Sequence, residues 1–217
     1  PIFLDVDLDG FEDLLVSNGH LHDVNDRDVA VSRPSNPAQR PRGTTNILQY
    51  PRLDTPNAAF RNQGDLTFVE TGDAWGFNSR NISHGMALGD LDNDGDLDVA
   101  INCPQAPPLI YRNDSPAPRV AVRLKGRAPN IQGIGGKIVV RGGPFIQSQE
   151  VICGGRYLSG DDPVRTFAAG SLTNRLTIEV TWRSGRRSVV RDVLPNYAYE
   201  IDEAGAEEEA EGQRLKA

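Results

Sequence analysis

Asp90-Leu-Asp-Asn-Asp-Gly-Asp-Leu-Asp98, followed at once by Val99-Ala100-Ile101, decides the fold. Carboxylates stand at loop positions one, three, five and nine. Alternate residues of a tightly curled loop point the same way, so Asp90, Asp92 and Asp94 can converge on one hard cation. Gly95 permits the sharp turn. The backbone carbonyl of Asp96 then reaches the same centre, and Asp98 closes the shell. An EF-hand opens in this way too, but it requires a bidentate Glu at position twelve and a helix on either side. Position twelve is Ile101, and Val99-Ala100-Ile101 is rich in strand formers. The loop therefore joins two β-strands.

The same pattern occurs near the start of the chain. Asp5-Val-Asp-Leu-Asp-Gly-Phe-Glu-Asp13 repeats the spacing, with Gly10 at the turn, Leu14-Leu15-Val16 following and Val16 at position twelve. Its ligand set is Asp5, Asp7, Asp9, the carbonyl of Phe11, and Asp13. Asp and Gly are ordinary turn residues, so acidic turns are the competing reading. However, four carboxylates within nine residues repel one another without a cation, and the arrangement appears twice. Six to eight oxygens in flexible geometry favour Ca²⁺ over Mg²⁺, which gives an expectation of two calcium sites.

A second element recurs downstream of each loop: Ala59-Phe60-Arg61-Asn62 and Ile110-Tyr111-Arg112-Asn113. Loop and Arg-Asn element together form an internal repeat. Gly64-Asp65-Leu66-Thr67-Phe68-Val69 reads as a turn and an outer strand. On these residues, 1 to about 115 resemble the last blades of an FG-GAP/VCBS-type β-propeller, whose Asp-x-Asp-x-Asp-Gly-x-x-Asp loops bind calcium. Residues 119–203 resemble the ASPIC/UnbV domain found after such propellers in cartilage-acidic-protein-like secreted proteins. The matching segments are Gly133-Ile-Gly-Gly-Lys-Ile138, Gly154-Gly-Arg-Tyr-Leu-Ser159 and Trp182-Arg-Ser-Gly185. Arg183 stands where that family usually has Pro, and Phe167-Ala-Ala-Gly170 departs from its Phe-Gly-Leu-Gly-like segment. The resemblance implies an all-β chain, with two C-terminal blades over 1–115 and an ASPIC/UnbV-like β domain over 119–203, for which the strand pattern suggests a small antiparallel sandwich or barrel. Glu207, Glu208, Glu209 and Glu211 mark an acidic tail over 204–217. Two blades cannot close a ring of the usual size.

The C-terminal strands are also legible without the resemblance. Leu176, Ile178, Val180 and Trp182 alternate with Thr177, Glu179, Thr181 and Arg183, as a half-buried strand does. Val120, Val122 and Leu124 alternate with Arg119, Ala121 and Arg123, and Tyr197, Tyr199 and Ile201 close the series. Apolar residues make up 38%, charged residues 24%, and there are 22 Gly and 15 Pro, a profile of loop-rich β structure. No stretch approaches a membrane span. The net charge of −7 argues against a nucleic-acid binder, which needs excess Lys and Arg. Pro1 reads as a processing site or fragment boundary. Cys103 and Cys153 are compatible with one disulfide or with two thiols.

Other candidates carry less chemistry. Residues 22–57 form a long stretch of interleaved Pro and Arg (Arg27, Arg33, Pro41, Arg42 and others), either a tolerated insertion or a partner-binding surface. Asp23, Asn25, Asp26 and Asp28 beside His20 and His22 offer a third oxygen-rich cluster, although it lacks the glycine turn. His84 reads as a packed or capping residue. There is no Gly-x-Ser-x-Gly elbow and no His-Glu-x-x-His helix, and Gly135-Gly136-Lys137 is followed by Ile138 where a phosphate loop needs Ser or Thr.

The expectation is a non-catalytic, calcium-stabilised, extracellular or cell-surface module for binding, adhesion or assembly. Its partner is a protein or glycan outside the cell, or further copies joined into an oligomer or filament through open blade edges. The alternative is a carbohydrate-binding accessory or an enzyme, with Trp75, Tyr50 and Phe77 as the sugar-stacking candidates.

Overall fold

The computed structural model describes residues 1–32, 34, 36–40, 47–53 and 55–207. The chain is all-β, with fourteen strands and little helix among the described residues. The strands are β1 Ile2–Leu4, β2 Asp13–Val16, β3 Ala58–Asn62, β4 Phe68–Glu70, β5 Met86–Gly89, β6 Asp98–Ile101 and β7 Leu109–Tyr111 in the first half. The second half holds β8 Arg119–Lys125, β9 Lys137–Arg141, β10 Gln147–Glu150, β11 Arg165–Ala168, β12 Leu176–Thr181, β13 Arg187–Val193 and β14 Tyr197–Asp202. No helix among the described residues is long and apolar enough to cross a membrane.

Each aspartate loop links two antiparallel strands, β1 to β2 and β5 to β6. β1-β2-β3-β4 is a four-stranded antiparallel meander, and β5-β6-β7 repeats its first three strands. Ile2, Leu4 and Leu15 from the first sheet pack with Met86, Leu88, Val99 and Ile101 from the second in one core, closed by Phe77.

The second half buries a separate core. Its sheets are β10-β9-β12-β13 and β11-β8-β14. The alternation in β12 is realised: Leu176, Ile178 and Val180 face inward and Trp182 is buried. Two features depart from the expected small antiparallel unit. β14 runs parallel to β8, because the turn after β13 carries the chain across to the other sheet. β8 is also buried on both faces at Ala121, since the turn of the second aspartate loop covers the side away from the core. A Cβ on Gly95 would lie 3.8 Å from that of Ala121.

The stretch 22–57 is partly ordered by local chemistry. A short helix, Arg27–Ser32, is capped by Asp26, whose Oδ1 accepts from Asp28 N and Val29 N. His22 bridges to Arg52. Arg33, Pro41 and Arg42 of this stretch lie outside the described residues, as do Glu208, Glu209 and Glu211 of the tail.

Candidate functional site

The two loops make the same hydrogen bonds. Asp5 accepts from Asp9 N at 3.1 Å and Gly10 N at 2.9 Å, and Asp90 accepts from Asp94 N at 3.1 Å and Gly95 N at 3.0 Å. Asp13 takes Val6 N at 2.9 Å and Asn62 N at 2.8 Å; Asp98 takes Leu91 N and Asn113 N, both at 2.8 Å. The Arg-Asn elements are therefore wired into the loops through the asparagine amide. Gly10 and Gly95 sit at φ +101° and +93°, a left-handed conformation that favours glycine.

This folding gathers Asp5, Asp7 and Asp13 in one place and Asp90, Asp92 and Asp98 in another, each set with carboxylate oxygens within 4.8 Å of one another. Asp9 and Asp94 stand outside these sets. Each caps its own turn, accepting from the amide of Phe11 or Asp96, and each pairs with an arginine. Arg61 lies 2.5 Å from Asp7 and 3.2 Å from Asp9. Arg119, on β8, lies 2.9 Å from Asp94 and 3.5 Å from Asp96, and donates to the Asp94 carbonyl from both Nε and Nη2.

The donor set suits a hard cation. Asp7 Oδ1 is buried without a hydrogen-bond partner, the kind of deficit that a cation or a proton relieves, whereas the Asp96 carboxylate stands outside the clusters and faces Arg119 at 3.5 Å. Burial, then repulsion from Asp9, Asp13 and Asp7, holds Asp5 up at about 7 against the pull of the Gly10 amide. Asp13 is raised to about 6, burial again leading and the Asn62 and Val6 amides opposing. Asp96 is raised to about 7 by burial and by Asp94, with Arg119 offsetting part of the effect. Carboxylates this reluctant to ionise near neutrality have a strong electrostatic demand for positive charge.

Both loops also touch the second half. Phe11 packs on Phe145 with ring centroids 4.5 Å apart, and a Cβ on Gly10 would come within 2.9 Å of the Phe145 ring. Thr166 Oγ1 donates to the Gly95 carbonyl at 3.0 Å. The sequence reading missed Arg119, Phe145 and Thr166. Arg61 was visible as part of the repeat, but the other three lie far along the chain from the loops and carry no local signature.

The remaining candidates resolve into structural roles. Asp23 and Asp26 cap turns, and His22 Nδ1 lies 2.8 Å from the Tyr50 carbonyl, so among the described residues that cluster does not converge on a metal position. His84 contacts the Gly19 carbonyl and meets Tyr157 edge-on. Tyr50 and Phe77 are buried, and Trp75 packs against the first core. Cys103 and Cys153 are both free thiols, the first buried and the second exposed.

Residues 126–208 match the family model described as ASPIC and UnbV. The match covers β9 to β14 and begins just after β8. No curated protein matches the chain.

Proposed function

We propose that this chain is a non-catalytic, calcium-stabilised binding module that works outside the cell. In this reading the first half is part of an FG-GAP/VCBS-like propeller, and calcium holds each of its sheets in shape. One observation carries the proposal: two loops far apart in sequence fold to the same hydrogen-bond pattern and gather the same three carboxylates, Asp5, Asp7 and Asp13 or Asp90, Asp92 and Asp98. Bound calcium would supply positive charge and oxygen coordination. Asp5, Asp7 and Asp13, and Asp90, Asp92 and Asp98, would hold it, with Asp9, Asp94 and the Phe11 and Asp96 carbonyls as further donors.

Loops of this kind outside cells bind with dissociation constants of about 10⁻⁴ to 10⁻³ M, so millimolar calcium stabilises each by roughly 0.4 to 1.4 kcal/mol. Sites that weak fill only where calcium is abundant, which supports an extracellular setting. Calorimetric melts in calcium and in chelator test the proposal. A higher melting temperature in calcium is expected, and superimposable curves overturn it.

A further inference from the structure

Residues of both halves line a cavity of about 310 Å³. Its apolar lining is Leu4 and Leu8 from the first sheet and loop, with Leu88 and Leu97 from the second, all buried. Its polar lining comes chiefly from the second half: Ser148 and Glu150 of β10, Arg156, Asp161, and Arg165 of β11. The first half adds Asp5 and Glu12. Apolar surface with a few convergent polar groups is the make-up of small-molecule sites, and this volume lies at the small end of their range.

Arg165 is the group that its own surroundings leave unsatisfied. Only 6% of it is exposed. Nε donates to the Glu150 carbonyl at 3.1 Å, and Nη1 donates to the carbonyls of Asp162 at 2.9 Å and Val164 at 2.8 Å. Those bonds use the Nε proton and both protons of Nη1, so Nη2 keeps a pair of N–H donors with no partner among the described residues. The neighbouring carboxylates are already committed. Asp161 gives Oδ2 to Arg156 at 2.8 Å and Oδ1 to the Leu88 amide at 3.0 Å, while Asp162 Oδ1 takes the Val164 amide and Arg123. Burial pulls the Arg165 pKa down, Arg156 adding to that and Asp161 and Asp162 opposing it. A buried charge held by neutral carbonyls and lacking a counter-ion is costly, and an anion in the cavity would relieve it.

We propose that this cavity binds a small carboxylate with an aliphatic tail. The carboxylate accepts from Arg165 Nη2 and the tail lies against Leu4, Leu88 and Leu97. A dianion such as phosphate fits less well, because Asp5, Glu12 and Glu150 bring negative charge to the same walls. A neutral ligand leaves the guanidinium without a counter-charge. The inference deepens the binding-module reading by naming a ligand class, and it rests on that reading only in treating the ligand as bound rather than turned over.

The probe is hexanoate, titrated to millimolar concentration into the whole chain and followed by NMR at Arg165 Nε–H and at the Leu4, Leu88 and Leu97 methyl groups. Saturable shifts at these groups are expected. Hexanol, with the same tail and no charge, should bind about tenfold more weakly for want of the charge-assisted bonds, and inorganic phosphate should not compete. Arg165→Ala also removes three carbonyl contacts, so the variant of choice is Ser148→Glu. Ser148 is exposed on β10 and lines the cavity, so the added charge should weaken hexanoate several-fold while the melting temperature is unchanged. Equal affinity for hexanol, competition by phosphate, unchanged affinity in Ser148→Glu, or no saturation at these groups each overturns the proposal. The titration is run beside melts in calcium and in chelator. Binding with superimposable melts sinks only the calcium reading, and a calcium-dependent melt without binding sinks only this one.

Discussion

Both aspartate loops touch the second half, but the carboxylates of the first are paired by an arginine of its own sheet and those of the second by an arginine from across the molecule. Arg61, on β3, sits on Asp7 and Asp9 with 43% of its side chain exposed. Arg119, on β8 of the other half, is only 12% exposed and reaches Asp94, Asp96 and the carbonyls of Asp94 and Ser115. The local counterpart of Arg61 in the second repeat is Arg112, and it pairs instead with exposed Asp114. One motif is thus neutralised in two ways. The comparison teaches that a loop's chemistry can repeat while its attachment changes. The first loop meets the second half through an aromatic contact, the second through charge and hydrogen bonds to its carboxylates and carbonyls, so a perturbation of the second loop's charges should be felt on both sides.

The largest effect tests what the loops share. Asp13→Ala and Asp98→Ala each strand two backbone amides beneath a buried carboxylate, and each should cost about 2–4 kcal/mol in denaturant unfolding. A loss below about 1 kcal/mol in either would break the equivalence of the two loops. Next comes what they do not share. Arg119→Ala should cost about 1–3 kcal/mol and speed amide exchange in β8, whereas Arg61→Ala should cost no more than about 1 kcal/mol, as befits a solvent-screened pair. Equal losses would remove the distinction drawn above.

The calcium effect is smaller and depends on pH. Asp5, Asp13 and Asp96 are raised above their ordinary value of 3.8, so without metal the folded chain holds those protons more tightly than the unfolded chain does. Their contribution to stability is therefore full below about pH 4 and is lost as pH rises through about 6 to 7. Calcium requires the ionised form and reverses that loss, so the gap between melts with and without calcium should widen from pH 4 to 7. A gap independent of pH would show that the Asp5 and Asp13 carboxylates are not ligands. The smallest expected effect is at Arg112→Ala, within about 0.5 kcal/mol by thermal unfolding, because its ion pair with Asp114 is exposed at both ends.

Much of this was legible in the sequence. The carboxylate spacing and the strand formers after each glycine predicted loops joining strands, and β2 and β6 begin at Asp13 and Asp98. Alternation located β12, whose even-numbered residues face the core and whose odd-numbered residues face solvent. The same alternation undersold Ala121, because nothing in Arg119–Lys125 reveals that a loop from the other half covers its second face. In the long stretch 22–57 the apparent third acidic cluster turned out to cap a helix and turns. Asp side chains satisfy nearby amides as readily as they bind metals, and without the glycine turn these do not converge.

By itself the sequence determined the two aspartate loops, their repeat and the β class, since these rest on short-range rules: which side chains a tight turn can gather, and which residues tolerate an extended backbone. The tertiary structure alone decided that Arg119, Thr166 and Phe145 come to lie on those loops, and that among the described residues β3 has an outer partner while β7 pairs with β6 alone. Such pairings depend on how two separately buried cores dock and how sheets end, and contacts between residues tens of positions apart leave no periodicity for a sequence to carry.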